Sequence, residues 1–229
     1  MAKKKLKRFA ENATFANMFQ RSFEELDEKG FELKGKWREN FFGNNNPIIL
    51  EIACGKGEYA VQMAENIPGK NFIGIDIKGS RMWKGCKYSN QKGLTNVAFI
   101  RSQIELIRYF FGEKEIDEIW ITFPDPFLKR SKRKKRLTSP QFLQRYKPLL
   151  KDDSIIHLKT DDDTLFAFTK EVIETYKHKV HQISTDIYQD QLKGPITDIQ
   201  TFYEQMWLEK GKPIKYICFS LNKTQMDDQ

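Results

Sequence analysis

Short apolar runs alternate with amphipathic stretches along most of the chain. Residues 48–52 form an apolar run between an asparagine- and proline-rich turn and a glycine cluster, which predicts a buried strand. Residues 58–66 follow it with helical periodicity. The same order recurs twice more, as strand 71–75 with helix 78–92 and as strand 97–100 with helix 104–111. The pattern therefore predicts a βαβαβ unit.

The alternation continues through the second half of the chain. Residues 118–123 predict a fourth strand, which ends at Pro124-Asp125-Pro126 because proline cannot donate to a sheet ladder. Ser139 as N-cap and Pro140 at the first helical position predict a helix to about residue 146. The remaining stretches predict strand 155–159, helix 163–176, and strands 180–187 and 214–221.

Seven strands with helices between them indicate an α/β fold: a doubly wound, mostly parallel seven-stranded sheet. We expect the final hairpin-like pair to add an antiparallel edge strand. In such sheets ligands bind beyond the carboxyl ends of the strands, so residues that directly follow strands are the candidates for chemistry.

The first 42 residues differ from the rest. They predict a basic arm and a helical lead-in, in which Phe15, Met18, Phe19, Phe23 and Leu26 recur at helical spacing. Residues 43–229 contain the predicted sheet, and we interpret them as one domain.

Composition excludes several classes of protein. Hydrophobic residues make up 39% and charged residues 31% of the 229 residues, which argues against a disordered or low-complexity chain. No apolar stretch is long enough for a membrane span and no signal-peptide core follows the basic start, so we expect a cytoplasmic protein. The three cysteines form no CxxC pair, so we expect neither a disulfide framework nor a metal site.

The positive charge is concentrated in two segments. The net charge is +8, yet five bases lie within residues 3–8 and seven within residues 129–136; without these twelve, 27 bases face 31 acids. Such concentration predicts binding to a polyanion, because each neutralised phosphate releases counterions. The alternative is a solvated basic loop without a partner. A membrane surface fits less well, because neither segment continues into a strongly amphipathic helix.

The turn after the first strand predicts an adenosine cofactor. Gly55 and Gly57 allow close approach of a ligand, and Asp76, at the end of the second strand, could accept hydrogen bonds from ribose hydroxyls. The acid Glu51 would repel a pyrophosphate and suits a cationic ligand, which favours S-adenosylmethionine over NAD. No Gly-Lys pair is followed by Ser or Thr, so a P-loop is excluded. The alternatives are a plain turn and, for Asp76, a helix N-cap.

Further candidate residues follow the fourth and fifth strands. Asp125 lies between two prolines and between Phe123 and Phe127, where rings could stack on a purine and the acid could accept hydrogen bonds from it. The alternative is a Pro-Asp-Pro turn that only ends the strand. Asp161 to Asp163 follow the fifth strand and are candidates for the site; the alternative is a helix N-cap, with Asp163 the preferred residue. Thr201 to Glu204 are candidates for substrate binding; the alternative is a capping box that begins a helix.

Taken together, these segments resemble the bacterial tRNA (guanine-N(7)-)-methyltransferase family, a Rossmann-like class I group that uses S-adenosylmethionine. The matching motifs cover roughly residues 45 to 220 and comprise residues 50–58, 71–76, 123–129 with the basic run, 159–161, 201–204 and 211–214. Ala53 departs from the usual glycine and Phe127 from the usual tryptophan. Gln103 stands where an acid or its amide often contacts adenine, and the sequence does not decide whether Gln103 does so.

The resemblance implies residue roles. It identifies Asp125 as the catalytic-site acid; separately, the residues show no metal signature, so we expect no metal. The cofactor-binding residues are then Glu51, Gly55, Gly57, Asp76, Gln103 and Asp125, and the substrate-binding residues are Lys129, Asp161, Thr201, Phe202, Tyr203 and Glu204.

The resemblance implies that residues 43–229 are an S-adenosylmethionine-dependent methyltransferase domain. The implied reaction is methyl transfer to N7 of a guanine in tRNA, at position 46 of the variable loop. The alternatives are a non-catalytic RNA-binding protein on this scaffold and a methyltransferase with another substrate. Expected partners are tRNA and no membrane; the sequence leaves monomer and homodimer open.

Overall fold

The computed structural model describes residues 2–224, with side chains from Lys5 onward. It confirms the predicted α/β, doubly wound, mostly parallel sheet. Eight strands form this sheet in the order β1-β4-β3-β2-β5-β6-β8-β7. They are β1 (Met18–Gln20), β2 (Ile48–Ile52), β3 (Asn71–Asp76), β4 (Val97–Arg101), β5 (Ile116–Thr122), β6 (Leu150–Thr160), β7 (Lys179–Ser184) and β8 (Lys215–Ser220).

Nine α-helices are described within residues 2–224. They are α1 (Ala2–Asn12), α2 (Phe23–Lys29), α3 (Glu58–Asn66), α4 (Gly79–Gln91), α5 (Ile107–Phe110), α6 (Pro140–Tyr146), α7 (Asp163–Thr175), α8 (Pro195–Asp198) and α9 (Phe202–Glu209). Short 3₁₀ helices span Ile104–Leu106, Arg130–Lys135 and Lys147–Leu149, and a π-helix spans Trp37–Phe42. None of these helices is both long and apolar enough to cross a bilayer.

The prediction of seven strands was wrong, because β1 comes from the lead-in that we had predicted as a helix. Met18 pairs with Phe99 in parallel register, so β1 covers the free edge of β4. Ser22 and Glu25 then form a capping box that begins α2. The apolar residues at helical spacing therefore belong to two elements: Met18 and Phe19 to strand β1, and Phe23 and Leu26 to helix α2.

The final strand pair is antiparallel and lies at one edge of the sheet, as predicted. β8 lies between β6 and β7 and is antiparallel to both, so β7 is the edge strand. The connection from β7 to β8 contains α8 and α9 and is long enough for this insertion. It also supplies one wall of the candidate site.

Both faces of the sheet are buried. On β2, Leu50 and Ile52 belong to the hydrophobic cluster that contains Trp37 and Phe110, whereas Ile49 belongs to the opposite cluster with Tyr59. This arrangement explains why the central strands are continuously apolar in sequence.

The N-terminal basic segment belongs to helix α1. Helix α1 packs on α4: the Arg8 guanidinium lies 4.7 Å from the Trp83 ring, and Asn12 Nδ2 donates to Gly79 O at 2.9 Å. The side chains of Lys3 and Lys4 lie outside the described residues. The boundary between residues 1–42 and 43–229 stays a prediction, although Trp37 is fully buried in the core of the described domain.

Candidate active site

A cleft of about 790 Å³ opens at the carboxyl ends of β2 to β6. This is the sheet edge where the doubly wound fold predicts ligand binding. Eight of the twelve predicted site residues line it: Glu51, Gly55, Asp76, Gln103, Asp125, Asp161, Thr201 and Tyr203.

The glycine turn that follows β2 is held in left-handed backbone conformations. Ala53, Gly55 and Gly57 have φ values of 58°, 56° and 70°. A Cβ on Gly57 would lie 2.4 Å from Phe99 Cε1, so only glycine fits there. Gly57 packs against Phe99 at the start of α3 and is absent from the lining of the cleft, so its contact with the cofactor stays a prediction. Ala53 accepts a conformation that costs a non-glycine residue about 1–2 kcal/mol.

Two carboxyl groups at the floor of the cleft organise this turn. Glu51 Oε2 accepts from the Ala60 N–H and Oε1 from the Thr122 hydroxyl, each at 2.9 Å. Asp76 Oδ2 accepts from the Gly55 N–H at 2.9 Å and Oδ1 from the Lys78 N–H at 2.7 Å. The floor therefore combines fixed acceptors with backbone that a ligand can approach closely.

Burial dominates the chemistry of Glu51. The side chain is 4% exposed, and desolvation raises its pKa from 4.5 to about 8, despite the opposing hydrogen bonds from the Ala60 N–H and the Thr122 hydroxyl. The carboxyl group is therefore mostly protonated at neutral pH without a ligand. A cation beside it would favour the carboxylate, so this floor suits a positively charged ligand.

Asp125 lies at the mouth of the cleft on a strained turn. Phe123 and Phe127, on either side of Pro124-Asp125-Pro126, have φ values of 48° and 44°. Asp125 Oδ1 accepts from the Phe127 N–H at 3.0 Å, and the side chain is exposed and lines the cleft. Two non-glycine residues in left-handed conformations mark a turn whose shape is imposed by its surroundings.

The wall opposite Asp125 comes from the connection between β7 and β8. Thr201 caps α9 by accepting the Glu204 N–H at 3.3 Å. Tyr203 contacts α4, since its hydroxyl accepts from Arg81 Nη1 at 3.3 Å. Asp161 at the end of β6 pairs with Lys212 at 3.2 Å. The neighbouring α7 is capped by Asp162, whose Oδ1 accepts the Leu165 N–H at 2.7 Å, and not by Asp163.

Comparison with known proteins identifies the family. A family model described as "Putative methyltransferase" matches residues 45–217. The chain is 54% identical over 221 residues to a tRNA (guanine-N(7)-)-methyltransferase of Christiangramia forsetii, with 96% of this chain and 99% of the relative covered. It is 49% identical over 221 residues to the protein of that name in Bacteroides thetaiotaomicron, with 96% and 87% covered. The chain belongs to the tRNA (guanine-N(7)-)-methyltransferase family.

Solved structures share the fold of this family member. The 16S rRNA methyltransferase KamB aligns with a TM-score of 0.62 at 12% identity, covering 80% of this chain and 91% of that chain. An antibiotic-related methyltransferase aligns with a TM-score of 0.61 at 17% identity, covering 84% and 96%. These likenesses show the class I methyltransferase architecture.

Lys129 and Phe202, two predicted substrate-binding residues, lie outside the cleft of this family member. Both are exposed and absent from its lining. The Lys56 ammonium lies 3.8 Å from the centre of the Phe202 ring, and the Phe202 N–H donates to Glu58 Oε2 at 3.0 Å. Phe202 therefore connects the glycine turn to α9, and contact of either residue with substrate stays a prediction.

Glu204 lies in the interior beside the cleft, and its contact with substrate stays a prediction. Its side chain is fully buried and pairs with the equally buried Lys159 at 2.7 Å. Tyr188 donates its hydroxyl to the same carboxylate at 2.7 Å. Lys159 also donates to the carbonyls of Ile196 and Ile199, and burial lowers its pKa. Thr201 thus forms the N-cap of α9, as the capping-box spacing indicates. The Glu204 carboxylate instead pairs with Lys159 and connects α9 to β6.

The basic run between β5 and α6 is divided between surface and interior. Lys132, Lys134 and Lys135 are exposed, and Lys135 lines the cleft. Arg133 pairs with Glu171 at 2.7 Å. Arg136 is only 3% exposed, and its guanidinium donates to the Asp125 turn. The charge pattern of the sequence identified the basic run but not the burial of Arg136, because a count of basic residues treats every base alike.

The described residues bring no group of three His, Cys, Asp or Glu side chains together in a geometry that could hold a metal ion.

Proposed function

We propose that this protein transfers a methyl group from S-adenosylmethionine to N7 of a guanine in tRNA, at position 46 of the variable loop. The observation that carries the proposal is the cleft itself. Its floor holds the carboxyl groups of Glu51 and Asp76, Asp125 lies at its mouth, and a cationic segment lies at its rim. Membership of a tRNA (guanine-N(7)-)-methyltransferase family supports both the cofactor and the substrate class.

The floor of the cleft fits the proposed cofactor. S-adenosylmethionine supplies, when bound, a methyl carbon attached to a positively charged sulfur. The Glu51 carboxyl and the Asp76 carboxylate suit the cationic part of such a ligand and the ribose hydroxyls, respectively. Gly55 presents bare backbone, and Gln103 is exposed at the end of β4 where its amide can reach a base. We assign these four residues to the cofactor.

Asp125 selects the guanine and stabilises the charge that the purine gains. N7 already carries an in-plane lone pair, so no general base is needed and catalysis consists mainly of alignment. A carboxylate can accept hydrogen bonds from the guanine N1–H and its exocyclic amine, which adenine cannot donate in the same pattern. Because the purine becomes cationic on methylation, the carboxylate interacts more strongly with the transition state than with the ground state. Phe123 and Phe127 lie on either side of Asp125 for stacking.

The rim binds the rest of the nucleic acid. Lys132, Lys134 and Lys135 are exposed for phosphate contacts, and Lys129 lies just before them in the chain. Asp161, Thr201 and Tyr203 line the opposite wall and are the proposed contacts to the extruded nucleotide. Because the substrate is tRNA, we propose the cytoplasm as the location.

The proposal is tested by incubating the protein with labelled S-adenosylmethionine and an unmodified tRNA transcript, followed by mapping of the modified nucleotide. We expect N7-methylguanine at position 46. Methyl transfer to another position or base would assign a different substrate, and cofactor binding with no transfer to any RNA would leave an RNA-binding protein.

Two variants of Asp125 test its role in the same assay. Asp125→Ala removes the carboxylate and the turn hydrogen bond, whereas Asp125→Asn keeps an oxygen for the Phe127 N–H and removes only the charge. We expect both to fold, because the side chain is exposed, and both to lose about 100-fold or more in turnover, as for loss of a charge-stabilising group. Turnover of Asp125→Asn equal to that of the unaltered protein would exclude the proposed charge stabilisation.

A further inference from the structure

Arg136 contacts the turn that carries Asp125. Its Nε donates to the Pro126 carbonyl at 2.9 Å and its Nη2 to the Phe127 carbonyl at 3.2 Å. It is the one buried base among the seven of residues 129–136, all of which are described. The guanidinium also lies 4.5 Å from the centre of the Phe168 ring on α7. Arg136 is therefore held by two carbonyls of the half-buried turn and by the buried Phe168 ring.

The two carbonyls lie directly after Asp125, and their orientation determines that of the acid. The Phe127 N–H donates to Asp125 Oδ1, while the Phe127 C=O accepts from Arg136. Phe127 has a φ of 44°, an unfavourable conformation that its neighbours must maintain. Hydrogen bonds on both sides of Phe127 thus hold the strained turn and, with it, the Asp125 carboxylate.

The same arginine ends the exposed cationic segment. The 3₁₀ helix Arg130–Lys135 precedes it, and the Arg136 N–H donates to Arg133 O at 3.1 Å. Ser139 fixes the far side, since its N–H donates to Arg136 O at 2.9 Å and its hydroxyl donates to Lys134 O at 3.1 Å. The lysines available for phosphates and the arginine on the Asp125 turn therefore belong to one hydrogen-bonded segment.

We propose that Arg136 is a positioning residue: it orients Asp125 and connects the placement of that carboxylate to the binding of phosphates by Lys132, Lys134 and Lys135. The inference rests on the proposed methyl transfer. It assigns to one member of the basic run a role in turnover instead of a role in RNA affinity. A guanidinium is required because its planar fork makes two directed hydrogen bonds while stacking on a ring, which an ammonium cannot do.

Arg133 provides a matched control. It belongs to the same segment, and its guanidinium lies 5.0 Å from the centre of the same Phe168 ring, but its hydrogen bond goes to Glu171 and not to the turn. Arg136→Lys and Arg133→Lys therefore make the same chemical change on the same ring, and only the first removes the fork from the turn.

The experiment compares Arg136→Lys, Arg136→Ala and Arg133→Lys in steady-state methylation of tRNA. For both Arg136 variants we expect kcat at saturating tRNA to fall about 10- to 100-fold, the loss typical of a misplaced catalytic group. The salt dependence of tRNA binding and the affinity for S-adenosylmethionine should stay within twofold of the unaltered protein. Guanidinium chloride at low millimolar concentration should restore part of the kcat of Arg136→Ala, with sodium chloride at equal ionic strength as control.

Three outcomes overturn the proposal: unchanged kcat in Arg136→Lys, an equal loss in Arg133→Lys, or a loss of kcat in Arg136→Ala that guanidinium does not restore. Amide hydrogen exchange of residues 123–128 measures the effect of the Arg136 contact on the turn independently of methyl transfer. The turn should exchange faster in Arg136→Lys than in Arg133→Lys. If the unaltered protein methylates no tRNA, the proposed function fails, whereas equal exchange in the two variants refutes the contact itself.

Discussion

At the scale of single residues, two carboxyl groups of one cleft occupy opposite surroundings. Glu51 is buried beneath the glycine turn, and its pKa is raised to about 8, whereas Asp125 is exposed at the mouth. Desolvation makes the first group sensitive to a cation that binds next to it. The second remains accessible to a base that enters from solution. The two acids thus suit the two reactants of the proposed transfer.

The raised pKa of Glu51 predicts how stability depends on pH. Between pH 4.5 and about 8 the folded protein retains a proton that the unfolded chain releases, so stability falls as the pH rises through this range. Glu51→Gln cannot titrate and keeps an acceptor for the Ala60 N–H. Thermal unfolding without ligand should therefore give similar Tm values for both proteins near pH 5 and a Tm several degrees higher for Glu51→Gln at pH 8.5. The same variant should bind S-adenosylmethionine more weakly, because glutamine cannot supply the carboxylate that a cationic ligand favours.

The control for this experiment is Glu105→Gln, which changes an exposed acid of the same cleft. Its Tm should follow the unaltered protein at both pH values. Parallel pH profiles of Glu51→Gln and the unaltered protein would mean that Glu51 does not retain its proton in the folded state.

At the scale of elements, a buried ion pair joins β6 to the wall of the cleft. Lys159 extends from β6 and reaches both Glu204 on α9 and the carbonyls at the end of α8. Removing one member of a buried pair leaves an uncompensated charge, which costs more than replacing both. This contact therefore connects β6 to the segment that carries Thr201 and Tyr203.

We predict that Lys159→Met destabilises the protein by about 3–5 kcal/mol, because the Glu204 carboxylate loses its partner. The free energy of unfolding is measured by urea denaturation. The double variant Lys159→Met, Glu204→Met removes both charges, and we expect it to be more stable than Lys159→Met alone. Glu204→Met completes the cycle: a double variant whose loss of unfolding free energy equals the sum of the losses in Lys159→Met and Glu204→Met would show that the pair is not coupled.

The sequence predicts those elements whose residues are buried on both faces. Strands β2 to β6 could be found because apolar runs such as residues 48–52 lie between turn-forming residues. Strand β1 could not, since three residues become a strand only when the free edge of β4 accepts them. The order of β7 and β8 likewise depends on a long connection that no local pattern describes.

Residues of the candidate site could be predicted from the sequence where they lie at the carboxyl end of a strand or directly after it. Glu51, Asp76 and Asp125 were identified because the end of a parallel strand determines where they lie. The inward direction of Arg136 could not be predicted, because neighbouring bases in a run look alike in sequence. The same holds for Glu204, whose partner Lys159 lies 45 positions earlier in the chain.

At the scale of the whole molecule, acids and bases line the same opening. Glu51 and Asp76 lie at the floor of the cleft, and Lys135 of the exposed segment Arg130–Lys135 also lines it. A cationic cofactor and an anionic RNA can therefore approach the same opening without competing for the same charges. The net charge of +8 further favours encounter with tRNA.

Replacing Lys132, Lys134 and Lys135 with glutamine should weaken tRNA binding and reduce its salt dependence. Each phosphate contact contributes about 0.7–0.9 to the slope of log K against log salt, so the slope should fall by about 2. Arg133 and Arg136 are retained because they contact Glu171 and the Asp125 turn. Affinity for S-adenosylmethionine, measured by calorimetry, should not change.

As a matched control, a second triple variant replaces Lys29, Lys34 and Lys36 with glutamine; these three lysines are exposed and belong to the lead-in. It removes the same net charge and should leave the slope nearly unchanged. An equal reduction in both triple variants would attribute the salt dependence to overall charge and not to the rim.

The position of β8 inside the sheet has a consequence for biosynthesis. Residues 215–220 follow every other strand in the chain, yet β7 pairs with no other strand of the described sheet, so the nascent protein leaves β6 open and β7 undocked until these residues leave the ribosome. The segment that carries Thr201 and Tyr203 lies between these two strands in the chain. A growing polypeptide therefore assembles the floor of its cleft before the opposite wall, and the wall is completed only after residues 215–220 have been synthesised.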